Sequence, residues 1–298
     1  MEKSLVKIVK NILFIGLIIY IGIDLYLNFD IKDLSKVEID YTFFFLSFTS
    51  MFISQFIPIF GWRYLLNSMG ENLSVIDSFR IWFISNLGRY IPGKIWQVLG
   101  IIKMSEAVGI KRSNVVNSMI YAQIFSLSTG VFFGLVIFTH KILPWYILAF
   151  LGSFFIIMLI PSFLIRSVNI FLSLLKKEPL KYKLKFENLF IYLIYILANW
   201  LFIGFTFYLF SLSFKGFKVF DFRYILILPS AWTVGLLAVF APGGVGVREK
   251  ILTESMEMFG SYKYFLIIPW VYRVIITIVE LLLALVFYFG IRDFNKKS

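Results

Sequence analysis

Residues 86–97 read NLGRYIPGKIWQ and residues 240–249 read FAPGGVGVRE, and both stretches interrupt apolar runs with proline, glycine and basic side chains. Proline and glycine break regular α-helix. Irregular backbone is tolerated at membrane depth only where protein or a water-filled cavity surrounds it. We therefore interpret segments 75–104 and 222–259 as re-entrant helical hairpins or discontinuous helices, with ordinary kinked spans as the alternative.

The composition places the whole chain in a membrane. Of its 298 residues, 60% are hydrophobic and 15% are charged, with a mean hydropathy of +0.86, whereas soluble domains are about 45–50% apolar and about 25% charged. The chain has no cysteine and one histidine, His140, which excludes disulfides, cysteine-based metal sites and multi-histidine metal centres. We expect no cofactor and no metal.

The apolar runs predict the number of membrane crossings. A hydrocarbon core of about 30 Å needs roughly 20 helical residues. The runs that meet this length are approximately 11–29, 41–60, 114–138, 143–165, 187–212 and 264–290. The predicted fold is therefore an all-α polytopic membrane protein with about six full spans plus two re-entrant or discontinuous hairpins, in a single transmembrane domain over residues 1–298.

The basic residues predict which side of the membrane each segment faces. With a cytoplasmic N-terminus, the segments predicted to lie inside hold 19 of the 29 lysines and arginines, as the positive-inside rule requires. These segments are 1–10, 61–113, 166–186 and 291–298. We expect a multi-pass protein of the cell membrane with both termini cytoplasmic. The net charge of +12 then reflects topology, and we expect no nucleic-acid partner.

The two halves of the chain predict an inverted-topology repeat, with repeat 1 at about 1–140 and repeat 2 at about 141–298. Each half has three full spans and one hairpin, so the second half starts on the opposite side of the membrane. At an offset of 150 residues, Trp82 matches Trp232, and the dipeptide Pro92-Gly93 matches Pro242-Gly243. Secondary transporters commonly contain such repeats, with the substrate site between them.

The helix breaks carry basic side chains: Arg89 and Lys94 in the first hairpin and Arg248 in the second. A break exposes backbone N–H groups, and a helix N-terminus beside a guanidinium group favours anions such as phosphate. The alternative is that the glycines allow close helix packing and the charged groups extend to the membrane interface.

The last span contains two charged residues, Arg273 and Glu280. Charges inside spans are costly and are usually paired or functional. The two lie seven residues apart on one helical face, too far for a direct pair, so each needs a partner elsewhere. The candidate partners are Glu249 or Glu254 for Arg273, and Arg248 or Arg89 for Glu280.

The stretches GRYIPGKIW (88–96) and APGGVGVRE (241–249), with Tyr272 and Arg273, resemble the lysylphosphatidylglycerol synthase transmembrane-region family over essentially the whole chain. Stand-alone members are called flippase-like proteins. In bifunctional members the transmembrane region moves aminoacylated phospholipid between leaflets, and a separate cytoplasmic domain transfers lysine from lysyl-tRNA to phosphatidylglycerol. Other relatives occur beside enzymes of polysaccharide and isoprenoid-linked glycan assembly.

The resemblance, together with the charge pattern, assigns three sets of residues. The groups expected to hold a lipid headgroup or phosphate are Arg89, Lys94, Arg248 and Arg273. The expected charge partners are Glu249, Glu254 and Glu280. The helix-break motif comprises Pro92, Gly93, Pro242, Gly243, Gly244 and Gly246.

The leading hypothesis is translocation between leaflets of an anionic or aminoacylated phospholipid, or of a polyprenyl-phosphate-linked lipid. The sequence ends at Ser298, directly after the last span, so we expect a stand-alone member without the synthase domain and without enzyme activity of its own. One alternative is the membrane part of a phosphatidylglycerol lysyltransferase system with a soluble synthase partner. The other is a scaffold for glycan-assembly enzymes. Membrane lipids are the expected partners, and an oligomer is compatible with the sequence.

Overall fold

The computed structural model describes most of the chain from residue 37 to residue 290. The described residues are 37–90, 95–139, 146, 150, 153, 160–174, 184–238, 241, 244–260, 262 and 264–290. The predicted span 11–29, most of the predicted span 143–165, and His140 lie outside these residues.

The described residues are almost entirely helical. The α-helices in chain order are α1 (Tyr41–Ser54), α2 (Ile57–Ser68), α3 (Val75–Asn86), α4 (Trp96–Ala107), α5 (Arg112–Thr139), α6 (Pro161–Leu174), α7 (Phe186–Leu212), α8 (Ile227–Leu237), α9 (Val247–Glu257) and α10 (Ile267–Phe289). Two short 3-10 helices, Leu87–Tyr90 and Phe222–Leu226, follow α3 and precede α8.

Four helical segments of the described chain are long and apolar enough to cross a bilayer. They are Tyr41–Ser68 (α1 and α2 taken together), Arg112–Phe138, Phe186–Leu212 and Ile267–Phe289. They correspond to the predicted spans 41–60, 114–138, 187–212 and 264–290, and they confirm the all-α polytopic membrane fold.

The first described span differs from its prediction in length. Helix continues to Ser68 after a turn at Gln55 and Phe56, eight residues beyond the predicted end at residue 60. Pro58, in the first turn of α2, lacks an N–H and is tolerated where helical N–H groups have no partner. Arg63 ends the apolar run in the sequence, but its Nε donates to the Leu73 carbonyl at 2.7 Å, so the helix accommodates the charge.

The pair α1–α2 runs antiparallel to α7. At one end, the Asp40 N–H donates to the Ser213 carbonyl at 2.7 Å. At the other end, the Tyr64 hydroxyl lies 3.2 Å from the Asn188 side-chain oxygen. The start of α1 therefore meets the end of α7, and the end of α2 meets the start of α7.

Helices α3 and α4 form the first hairpin. Each has 12 residues, about 18 Å of helix, which is too short to cross about 30 Å of hydrocarbon. Ser74 caps α3 by accepting the Asp77 N–H at 3.0 Å. Asn114, just after the hairpin, donates to Glu71, just before it, at 2.7 Å. The hairpin therefore begins and ends at the same end of the bundle, as the re-entrant interpretation expects.

Helices α8 and α9 form the second hairpin, with 11 residues each. Its two ends also lie together, because the Arg223 guanidinium, before α8, lies 5.9 Å from the centre of the Phe259 ring, after α9. These ends adjoin the C-terminal end of α7, where Phe217 contacts Tyr262. The two hairpins therefore enter the bundle from opposite ends.

The hairpins are held between the long helices in a reciprocal arrangement. The first helix of hairpin 1, α3, packs against α10, and the first helix of hairpin 2, α8, packs against α5. An aromatic cluster secures α10, since the Tyr272 ring lies 5.0 Å from Phe207 and 5.4 Å from Phe210. This packing sets the position of Arg273, the next residue along the chain.

Candidate functional site

Both hairpins and all four long spans line one cavity of about 380 Å³. Its charged lining residues in the described chain are Arg89, Arg248, Arg273 and Glu280. Its amide and tryptophan lining residues are Gln55, Asn86, Gln97, Gln123, Asn199, Trp62, Trp82, Trp200 and Trp232. The cavity therefore combines a cationic wall, amide groups and flat aromatic faces inside an apolar bundle.

The turn of the first hairpin directs Arg89 towards the last span. After α3 the chain forms the 3-10 helix Leu87–Tyr90, which lies tightly against the start of α4. A Cβ added at Gly88 would lie 2.5 Å from the Gln97 backbone nitrogen, so only glycine permits this approach. Arg89 Nη2 then lies 2.7 Å from Glu280 Oε1.

The turn of the second hairpin depends on two glycines with positive φ, Gly244 at 69° and Gly246 at 83°. Other residues rarely adopt this conformation. A Cβ added at Gly244 would lie 2.8 Å from the Gly235 carbonyl oxygen, so α8 and the turn are in close contact. The Gly246 N–H donates to Glu249 Oε2 at 2.6 Å, which caps the N-terminus of α9.

The two charged residues of α10 pair with opposite hairpins. Glu280 binds Arg89 of hairpin 1 at 2.7 Å. Arg273 Nη1 lies 3.8 Å from Glu249 Oε1 of hairpin 2, which is an ionic contact but too long for a hydrogen bond. Glu249 is 1% exposed. One helix therefore connects both hairpins through ion pairs at the cavity.

Glu254, the other partner considered for Arg273, lies elsewhere. Its side chain is 53% exposed and lies 4.0 Å from Lys250. Five residues separate it from Glu249, which rotates it by about 140° around α9. Glu249 therefore faces Arg273, and Glu254 faces away from the cavity.

Arg248 differs from the other cavity arginines in having no carboxylate partner. Its Nε is buried and makes no hydrogen bond within the described chain, and no carboxylate of the described residues lies within 4.0 Å. Its guanidinium lies 5.6 Å from the centre of the Trp232 ring, a cation–π distance. A buried guanidinium without an anion is costly, so this group is available to an anionic ligand.

Two tryptophan pairs form opposite parts of the cavity lining. Trp62 of α2 packs on Trp82 of α3 at 5.7 Å, and Trp200 of α7 packs on Trp232 of α8 at 5.2 Å. The Trp200 indole N–H also donates to the Thr129 hydroxyl at 2.8 Å. Each pair joins a hairpin to the span that precedes it.

The family comparison agrees with this architecture. The sequence profile described as "Lysylphosphatidylglycerol synthase TM region" matches residues 8–284. The chain belongs to this family. Searches of the curated proteins and of the solved structures found no match to this chain. In this family member, the matched region spans both hairpins, the first three long helices, α10 as far as residue 284 and every described residue that lines the cavity.

The structure brings together most of the residues expected in this lysylphosphatidylglycerol synthase transmembrane-region protein. Arg89, Arg248 and Arg273 line one cavity with Gly244, and Gly246 lies in the turn before α9. The remaining expected residues, Lys94, Pro92, Gly93, Pro242 and Gly243, lie outside the described chain.

Sequence reasoning missed the amide side chains of the cavity. Gln97 donates to Asn86 at 2.8 Å across hairpin 1, while Gln123 and Asn199 project from spans α5 and α7. A signal was present, because an amide within an apolar span is costly unless it meets a polar partner or cavity. Trp82 and Trp232 also line the cavity, although the sequence indicated them only as matched positions of the repeat.

Proposed function

We propose that this protein moves a phosphate-bearing lipid between the leaflets of the cell membrane. The headgroup would pass through the cavity between the two hairpins, while the acyl or prenyl chains stay in the surrounding lipid. Within the family-level assignment to a lysylphosphatidylglycerol synthase transmembrane region, this is the activity that the cavity chemistry supports best.

The observation that carries the proposal is the state of Arg248. Its guanidinium lines the cavity without a hydrogen-bonded or ionic partner in the described chain. A buried guanidinium without a carboxylate partner is costly within a membrane protein. A phosphodiester offers the planar, anionic acceptor that a guanidinium binds well, and it would stabilise Arg248 during each passage.

The ion pairs at the cavity supply a means of coupling binding to movement. Arg89 and Glu280 connect hairpin 1 to α10, while Glu249 and Arg273 connect hairpin 2 to the same helix. An anion that approaches either arginine competes with its carboxylate. Headgroup binding would therefore weaken one hairpin contact at a time, which is the kind of change that alternating access requires.

We also infer that the two halves of the chain form an inverted repeat, at about 1–140 and 141–298. The antiparallel arrangement of α1–α2 and α7, the opposite entry of the hairpins and the reciprocal helix packing support this inference. Pairs of cavity-lining positions recur at constant offsets. At 150 residues they are 82/232, 86/236, 98/248, 122/272, 123/273 and 126/276, and at 138 residues they are 54/192, 58/196 and 62/200.

The test is leaflet exchange in proteoliposomes that contain a fluorescent phosphatidylglycerol. We expect the wild-type protein to accelerate exchange and Arg248→Gln to reduce it by about 10-fold or more, since a hydrogen-bonded charge contributes about 1.5–3 kcal/mol. Glutamine retains hydrogen-bonding groups but removes the positive charge.

Lys250→Gln is the matched control, because it removes one positive charge from the same helix. Lys250 pairs with the exposed Glu254 at 4.0 Å and does not line the cavity. We expect exchange rates within about twofold of the wild type, as for a surface ion pair. Wild-type protein that accelerates no phosphate-bearing lipid, or equal rates for both variants, would argue against the proposal.

A further inference from the structure

The cavity lining points to a particular headgroup, and this inference rests on the proposed lipid translocation. We propose that the headgroup is a phosphodiester that carries neutral hydroxyl groups and no amine, such as a glycerol or sugar phosphate. Cationic residues would bind the phosphate, and amide and indole side chains would bind the hydroxyl-bearing part.

The charge balance of the cavity favours an anion. Three guanidinium groups, from Arg89, Arg248 and Arg273, face a single lining carboxylate, Glu280, among the described residues. Even when the buried Glu249 is counted with Arg273, one positive charge is in excess. A ligand with one negative charge neutralises the site, whereas an aminoacylated headgroup with a net positive charge adds to the excess.

Both described carboxylates at the cavity already face guanidinium groups, so an amine would have to compete with an arginine for either of them. Glu280 Oε1 lies 2.7 Å from Arg89. Glu249 accepts the Gly246 N–H through Oε2, and its buried Oε1, which makes no hydrogen bond, lies 3.8 Å from Arg273. Aromatic rings also bind ammonium groups, but the Arg248 guanidinium already lies over the Trp232 ring at 5.6 Å.

The amide groups are the part of the cavity that a bare phosphate leaves unused. Gln123 and Asn199 line the cavity and make no hydrogen bond with the described protein, and the Gln55 amide has only a long contact of 3.4 Å with Ser54. An amide offers both donors and an acceptor, as a hydroxyl does. A set of such groups therefore suits a ligand with several hydroxyls.

Equivalent positions in the two halves carry different side chains. Gln123 stands 150 residues before Arg273, and Asn86 stands 150 residues before Leu236. At this offset the second half presents the guanidinium groups of Arg273 and Arg248 where the first half presents an amide and a valine, Gln123 and Val98. A ligand with a charged end and a neutral polar end matches this asymmetry, and the indole faces of Trp62 and Trp82 pack against its carbon atoms.

Binding is measured on the detergent-purified full chain through tryptophan fluorescence, because four of the seven tryptophans line the cavity. The probes are short-chain phosphatidylglycerol, phosphatidic acid, lysyl-phosphatidylglycerol and a short-chain prenyl phosphosugar. We expect phosphatidylglycerol or the phosphosugar to bind about 3-fold to 10-fold more tightly than phosphatidic acid. We expect lysyl-phosphatidylglycerol to bind more weakly than either of these two hydroxyl-bearing lipids. The tighter of the two hydroxyl-bearing probes identifies the lipid class.

Gln123→Leu tests the amide contribution, with Asn117→Leu as its control. Both residues lie on α5, but Asn117 does not line the cavity. We expect Gln123→Leu to remove most of the preference for the hydroxyl-bearing lipids over phosphatidic acid, since one neutral hydrogen bond is lost. The affinity for phosphatidic acid itself should change by less than about twofold. We expect Asn117→Leu to keep the preference.

Two results would overturn this inference: phosphatidic acid that binds as tightly as the hydroxyl-bearing lipids, or lysyl-phosphatidylglycerol that binds as tightly or more tightly. Leaflet exchange without headgroup preference would reject the inference and leave translocation intact. Selective binding without leaflet exchange would reject translocation and support the inferred headgroup preference.

Discussion

At the scale of single residues, we expect one described arginine of the cavity to destabilise the protein in the absence of a ligand. Arg89 and Arg273 have carboxylates at 2.7 and 3.8 Å, whereas the buried Nε of Arg248 has no hydrogen-bond partner in the described chain. Functional sites commonly retain such groups at the expense of stability. Removal of the charge should therefore improve folding and impair function.

We expect Arg248→Met to raise the free energy of unfolding by about 1–3 kcal/mol, because methionine keeps apolar volume and removes the buried charge. Thermal unfolding in detergent measures the change. Lys250→Met should shift stability by less than about 0.5 kcal/mol. Phosphatidylglycerol should raise the unfolding midpoint of the wild type more than that of Arg248→Met. A lower midpoint for Arg248→Met without lipid would contradict this account.

At the scale of helices, close backbone approach positions the second hairpin. Gly204 in α7 lies against the 3-10 helix Phe222–Leu226, and a Cβ there would lie 1.8 Å from the Ile225 carbonyl oxygen. A backbone atom cannot move aside as a side chain can. The turn that leads into α8, and hence the position of Trp232 beside Arg248, depends on this glycine.

We expect Gly204→Ala to destabilise the protein by about 2 kcal/mol, because the clash forces a backbone shift. It should also reduce leaflet exchange by displacing hairpin 2. Gly134→Ala in α5 is the control, since its nearest atom outside the helix would lie 3.9 Å away and alanine favours helix over glycine. Thermal unfolding of both variants measures the difference, and equal midpoints would show that the contact is not restrictive.

At the scale of the whole molecule, the polar segments gather at two opposite ends of the bundle. One end holds Asp40 and Ser213, which are hydrogen-bonded at 2.7 Å. The other holds Glu71 and Asn114, also at 2.7 Å. The positive-inside rule predicts that the second end faces the cytoplasm, and we therefore expect each hairpin to open towards a different side of the membrane.

The absence of cysteine from the chain allows single cysteines to report on this topology. We expect a membrane-impermeant maleimide to label Lys215→Cys in intact cells, and to label Glu106→Cys only after permeabilisation. Both positions are exposed and lie at opposite ends of the bundle. The unsubstituted chain is the unlabelled control. Labelling of both positions from the same side would contradict the inverted arrangement.

Local sequence properties were sufficient for the membrane class and most of the helical pattern. Hydropathy locates spans because a helix rises about 1.5 Å per residue, so run length translates directly into membrane thickness. Proline and glycine spacing likewise located the breaks at 86–97 and 240–249. The helical span Tyr41–Ser68 extends beyond the predicted apolar run of about 41–60, because Arg63 lowers local hydropathy while its side chain reaches a carbonyl beyond the helix.

Partner choice and cavity composition followed from packing between segments that are distant in the chain. The sequence left Glu249 and Glu254 equally suited to Arg273, and the rotation of α9 against α10 distinguishes them. The amides Gln123 and Asn199 became part of a site only because α5 and α7 turn these faces inward. Helix rotation and contact depend on the side chains of all neighbouring helices together, and so no single stretch of sequence contains them.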